Sequence, residues 1–132
     1  MDNKARVKYF FENVNVDEFS EYVSTDCTVR AGENVIPVGI DGMKQHFLAV
    51  RTTYPDLKMT VTRQFCDGDY VITEFAAEGT HKGEWLGMKP TDKKLSFVGV
   101  NVNKVINGKI TEHSGSMNTF ETLFEAGIIK PA

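Results

Sequence analysis

Apolar residues in the first fifty positions recur at helical intervals, and from Leu57 onward they alternate. Val7, Phe10, Phe11 and Val14 fall three and four residues apart, which predicts a helix over 2–13 with one apolar face. A short second helix follows, with Asp17 as its N-cap and Phe19, Tyr22 and Val23 turned inward. Residues 26–31 read as a short strand and 32–39 as a loop. Asp41 is placed to cap a third helix that buries Met43, Phe47, Leu48 and Val50, and Pro55 closes that region. Leu57–Phe65 is rich in β-branched residues, and Tyr70–Glu78 follows across Asp67-Gly68. Leu95–Ile106 and Lys109–Asn118 flank Asn107-Gly108. Such dipeptides between strand-like runs are strong hairpin signals. A last short helix over Thr119–Ala126 ends at Gly127, a good C-cap residue. Helices first, two long hairpins, then a terminal helix make an α+β architecture, with helices packed on one face of a curved antiparallel sheet.

The last hairpin sharpens this picture. A two-residue loop at Asn107-Gly108 pairs Asn103 with Glu112, Asn101 with Ser114, Gly99 with Ser116 and Phe97 with Asn118, all on one face. Val98, Val100, Val102 and Met117 then share the other face with His113, which becomes a structural or interface histidine. A one-residue bulge would swap part of this assignment. The first face has a small, polar middle: Asn101, Asn103, Glu112, Ser114 and Ser116. Either it is solvated, as one face of an antiparallel sheet often is, or it lines a pocket where amides and hydroxyls orient a ligand.

Composition narrows the function classes. The chain has 132 residues, 41% of them hydrophobic, which suits a single domain over 1–132. The net charge is -3 with both signs interspersed, so no basic patch marks a nucleic-acid or membrane-surface partner. The charged N-terminus lacks the apolar stretch of a signal peptide, and no run reaches transmembrane length; a cytoplasmic protein is expected. Cys27 and Cys66 lack metal-ligand spacing and read as reduced, mostly buried thiols. No phosphate-binding glycine loop, clustered metal ligands or nucleophile elbow is present. Glu74 lies inside a strand, where it is either exposed or, in a pocket, a proton acceptor. Tyr54 and Arg63 carry the same ambiguity. His46 sits one turn from Met43 and Val50, as a partly buried core residue or a pocket group. His81 follows Gly79-Thr80 at a strand end, placed to tie down a turn.

Several segments together resemble a known family. Gly79-Thr80-His81, Gly83, Trp85-Leu86-Gly87, Pro90-Thr91, Gly99, Asn107-Gly108-Lys109-Ile110 and Glu112-His113 match the SnoaL-like polyketide cyclases, a branch of the nuclear transport factor two-like superfamily. The stretches 39–47 and 53–61 and the tail ending at Pro131 match as well. The resemblance implies a cone-shaped α+β barrel whose helices and strongly curved sheet enclose a pocket. It implies a homodimer through the convex sheet face, and chemistry without a metal or organic cofactor. In the family an Asp shortly after Glu-His is the acid/base group of an intramolecular aldol cyclisation. Here that position is Asn118, the family's Trp is Ser114, Asn101 stands where many relatives have Asp, and Glu74 where many have Arg.

Three readings follow. In the first, the chain is a cyclase, isomerase or dehydratase acting on an apolar carbonyl compound. Glu74 or Glu112 is its base, Asn118 and Asn101 orient the substrate, and Ser114, Ser116, Phe97, Tyr54, His46 and Trp85 line the site. In the second, the loss of Asp leaves a ligand-binding module without turnover. In the third, the hairpin face meets another subunit.

Overall fold

The computed structural model describes residues 1–130. Helix α1 spans Asn3–Asn13, and its first turn is held by the Ala5 N–H donating to Asp2 Oδ1 at 2.8 Å. Its three- and four-residue spacing sends Val7 and Phe10 into the core, with Val14 beside them at the cap. The second helix starts differently from expectation. Asn15, not Asp17, is the cap: its Oδ1 accepts the Asp17 N–H, opening a 3-10 turn over Val16–Glu18 that runs into α2 (Phe19–Tyr22).

Strand β1 covers Val23–Ala31, longer than the sequence pattern suggested, and Val23 opens it rather than closing a helix. The expected loop at 32–39 holds a short strand, β2 (Asn34–Ile36), which turns back antiparallel on β1. The pairing is concealed because β2 buries nothing: Val35 and Ile36 are exposed. Helix α3 spans Gly39–Thr53 without a side-chain cap, with Asp41 in its first turn instead. Met43 is buried and Phe47 and Val50 half-buried, but Leu48 points to solvent at 51% exposure.

The remaining strands are β3 (Lys58–Asp67), β4 (Tyr70–Thr80), β5 (Lys94–Ile106) and β6 (Lys109–Met117), followed by α4 (Thr119–Glu125). One six-stranded sheet results, in the order β2-β1-β6-β5-β4-β3. It is mixed, because β1 runs parallel to β6 while the other pairs are antiparallel. Helix α1 packs on β3 and β4, and α3 packs on β1. The sheet curves around them without closing, an α+β cone. No helix among the described residues is long and apolar enough to cross a membrane.

The inner face carries two apolar clusters. One gathers Phe10, Phe19, Tyr22, Met43, Val71 and Val105 at the closed end. The other joins Tyr54, Leu95, Phe97 and Leu123, with Trp85 and Val50 packed against it. Each fully buried aromatic or aliphatic group contributes roughly 1.5–3 kcal/mol. The region between the clusters is where the fold leaves space.

The register of the last hairpin changes along its length. Asn107 and Gly108 both have positive φ, and Ile106 faces Lys109 and Val105 faces Ile110, as the turn dictates. A bulge at Thr111 then shifts the pairing by one, so that Lys104 faces Glu112, Asn103 faces His113, Asn101 faces Gly115 and Gly99 faces Met117. The Thr111 hydroxyl donates to the Lys104 carbonyl across this irregularity. Beyond the bulge every β6 side chain changes face. His113 and Met117 point inward, against expectation, and Glu112, Ser114 and Ser116 join Val98, Val100 and Val102 on the outer face. That outer face is uncovered in the single chain, with Val98 57% and Val100 40% exposed.

Candidate functional site

A cavity of about 520 Å³ lies between the two apolar clusters. Phe10, Phe19 and Met43 form its closed end, and Tyr54, Trp85 and Phe97 form a second wall. Those three aromatic rings meet edge to face, with centroids 5.5 to 5.9 Å apart. Exposed residues in the lining, His46, Ala49, Gly115, Ser116 and Met117, mark where it opens.

Asn101 reaches the cavity because of a glycine across the strand pair. A Cβ at Gly115 would lie 2.3 Å from Asn101 Oδ1 and 3.1 Å from the Val100 carbonyl oxygen. Similarly, Phe75 folds over Gly99, where a Cβ would come within 2.6 Å of Phe75 Cζ. The small residues of this hairpin therefore hold open the places that Asn101 and Phe75 occupy.

His113 is the polar group the sequence reading turned the wrong way. Its Nδ1 lies 2.7 Å from Oδ1 of Asn103, which is fully buried. With the Asn103 oxygen facing the ring, the proton resides on Nδ1 and Nε2 keeps its lone pair. Burial first, with the nearby His46 adding to it, pushes the His113 imidazole down to about 4. It is a neutral base near neutral pH. Tyr54 contributes a hydroxyl that is buried and has no hydrogen-bond partner in the protein. Burial raises its pKa, so it remains a donor.

Arg51 is the second group the pattern did not single out. It follows Met43 and Phe47 at four-residue intervals on α3 and lines the cavity. Its guanidinium lies over the Phe47 ring, 3.4 Å from the centroid, and Nη1 donates to the Phe47 carbonyl at 3.4 Å. The i, i+4, i+8 spacing was visible in the sequence, but a charged residue at the end of such a row reads as solvated.

The expected site residues divide. Asn101, Phe97, Tyr54, His46 and Trp85 line the cavity, and Ser116 stands at its mouth. Ser114 does not: it sits on the outer face, its hydroxyl donating to the Val102 carbonyl at 3.4 Å. Glu112 is also on the outer face, paired with Arg30 at 2.9 Å. Glu74 forms a two-point pair with Arg63 there, 3.0 Å from Nε and 2.6 Å from Nη2. The arginine bonds hold the Glu74 carboxyl below its ordinary range, the opposite of the raised value a buried base would have. Asn118 Oδ1 accepts the Val98 N–H at 2.9 Å. With Thr62, Glu74, Val98, Val100 and Ser116, Asn118 borders a separate groove. Thus Glu74, Asn118 and Ser116 do meet, but away from the cavity floor.

The motif residues outside the cavity fasten the fold. Asp56 accepts the Thr80 N–H at 2.6 Å and the Thr80 hydroxyl at 2.7 Å, joining the end of α3 to the end of β4. His81 is fully buried, its Nδ1 3.0 Å from Thr91 Oγ1, and ties down the excursion between β4 and β5. Among the described residues no cluster of three metal-ligating side chains occurs.

Comparison with known proteins agrees with this architecture. The family model for SnoaL-like polyketide cyclases matches residues 4–124. The nogalonic acid methyl ester cyclase of Streptomyces nogalater is 29% identical over 105 residues, covering 78% of each chain. The structure of IdmH from Streptomyces antibioticus, provisionally described as a polyketide cyclase, superposes with a TM-score of 0.77 at 24% identity, covering 96% of both chains. AclR from Streptomyces galilaeus, provisionally described as a hydroxylase, gives 0.81 at 21% identity, covering 98% of this chain and 83% of its own. At such identities the two structures show the fold alone, and their different descriptions illustrate that a fold does not select a reaction.

Proposed function

The chain belongs to the SnoaL-like polyketide cyclase family, and we propose that it binds an apolar carbonyl compound in the cavity and moves a proton from and to it, with His113 as the base. The observation that carries this reading is the pairing of His113 Nδ1 with the buried Asn103 at 2.7 Å, which leaves Nε2 as an acceptor in a pocket otherwise walled by aromatic rings. An imidazole pressed to about 4 has the basicity of an ordinary aspartate, for which the reference value is about 3.9. It can therefore replace the family's Asp in strength, while being neutral rather than anionic when deprotonated.

The proposed chemistry runs through this chain's own groups. Nε2 takes a proton from the carbon next to a ketone, and the C–H electron pair shifts to the carbonyl oxygen as an enolate. The Asn101 amide supplies a donor for that oxygen. The carbon nucleophile then closes on a second carbonyl, and the imidazolium returns its proton to the new alkoxide. Glu74 and Glu112, engaged by arginines on the outer face, take no part.

A binding role without turnover is the second reading. It is favoured by Asn118, whose side chain is untitratable and spends its oxygen on the Val98 N–H. The uncovered Val98/Val100 face supports a homodimer built through the convex side of the sheet. Incubation with 2-tetralone in D₂O separates the catalytic and binding readings without knowledge of the natural substrate. Wild type, Glu74→Gln and Glu112→Gln should accelerate exchange of the α-protons, followed by NMR, and His113→Gln should not. Exchange that survives in His113→Gln and vanishes in a glutamate variant refutes the assignment of the base; binding without exchange by any variant favours the second reading.

A further inference from the structure

We propose that the cavity selects an anionic ligand, a ring compound bearing a carboxylate, with the Arg51 guanidinium as its counter-ion. The inference rests on the reading that the cavity binds a carbonyl compound, and adds the charge of that compound. Among the described residues lining the cavity there is no aspartate or glutamate, although the chain as a whole carries a net charge of -3. The ionisable groups there are Arg51, His46, His113 and Tyr54. The wall thus carries the Arg51 cation and no carboxylate, on an acidic protein.

Arg51 is half-buried, and no carboxylate among the described residues pairs with it; the ion pairs use Arg30, Arg63, Lys82 and Lys94. Its contacts are the Phe47 ring and the Phe47 carbonyl. A guanidinium has five donors in a planar fork, so most remain for a ligand. Burial alone disfavours its charge, with no opposing anion. A partly desolvated cation without a partner is unfavourable by itself and becomes favourable when an anion joins it in a bidentate pair. Phe47 fixes the fork at the cavity wall, so little side-chain freedom is lost on binding.

The chain's single tryptophan, Trp85, lines the same cavity and reports occupancy directly. Its fluorescence is to be titrated with 4-acetylbenzoate and, separately, with methyl 4-acetylbenzoate, which share ring and ketone and differ in charge. Wild type should bind the acid roughly ten- to a hundredfold more tightly than the ester, the range of a charge-assisted hydrogen-bonded pair. Arg51→Met should lose that preference with ester binding unchanged, and Arg51→Lys should keep part of it. Equal affinity for acid and ester in wild type overturns the anion inference and leaves the cavity reading standing. An acid preference that survives in Arg51→Met overturns the role of Arg51. Failure of both probes to bind overturns the inference together with the reading beneath it. Should Arg51→Met not fold, the wild-type ratio still decides the charge question.

Discussion

Replacing His113 with glutamine should change how stability depends on pH, by an amount set by the imidazole's burial. In the unfolded chain a histidine titrates near 6.5, and in the fold His113 is pushed down to about 4. Between these values the unfolded chain holds a proton that the native protein does not, so acidification favours unfolding. The native advantage is complete above about pH 6.5 and disappears as pH falls through about 4. At about 1.36 kcal/mol per pH unit the full effect is about 3 kcal/mol, of which about 2.5 kcal/mol falls between pH 7 and pH 4.5. Urea denaturation of wild type and His113→Gln at a series of pH values isolates the contribution of His113 together with its coupling to His46. The stability of His113→Gln relative to wild type should rise by about 2.5 kcal/mol from pH 7 to pH 4.5, a relative midpoint shift of about 1–2 M urea. A constant difference across that range would refute the reasoning, since it requires an imidazole that protonates in the fold as easily as in water. The imidazole C–H resonance of the wild-type protein gives the same answer without a variant.

Further outcomes follow from the same geometry. Gly115→Ala places a methyl group 2.3 Å from Asn101 Oδ1, so it should lower stability by about 1–3 kcal/mol and weaken ligand binding, read by thermal melting and by Trp85 quenching. Tyr54→Phe removes a buried hydroxyl that has no partner; the protein should be as stable as wild type or slightly more so in urea. Thiol reagents should label Cys66 rapidly and Cys27 only on unfolding, because Cys27 is fully buried and its thiol is pushed up to about 11 by burial, with Asp26 and Glu112 adding to it. Simultaneous labelling of both in the native protein would contradict that burial.

The parts of the fold that were legible are those fixed by local chemistry. Val7, Phe10 and Val14 announce α1 by spacing, and the Asn107-Gly108 turn sets the first pairs of the last hairpin. Tyr54, Trp85 and Phe97, each expected to line a site, line the same cavity. The bulge at Thr111 was not legible. Threonine sits as well in a regular strand as in a bulge, so nothing in its type announces the shift. That single residue moved Glu112 and Ser114 out of the site and His113 into it. Strand β2 was missed because Val35 and Ile36 bury no face that would show as alternation. Asp17 and Asn15 are equally good caps by type, and the fold uses Asn15.

The central claim is that a carbonyl compound lies in the cavity against His113. A crystal structure of the protein with bound 2-tetralone tests it most directly. The ketone ring should lie against the aromatic wall of Tyr54, Trp85 and Phe97 with its α-carbon beside His113 Nε2, and Nδ1 should still be on Asn103. Ligand seated instead in the outer groove beside Asn118 and Glu74, with the cavity empty, would contradict it.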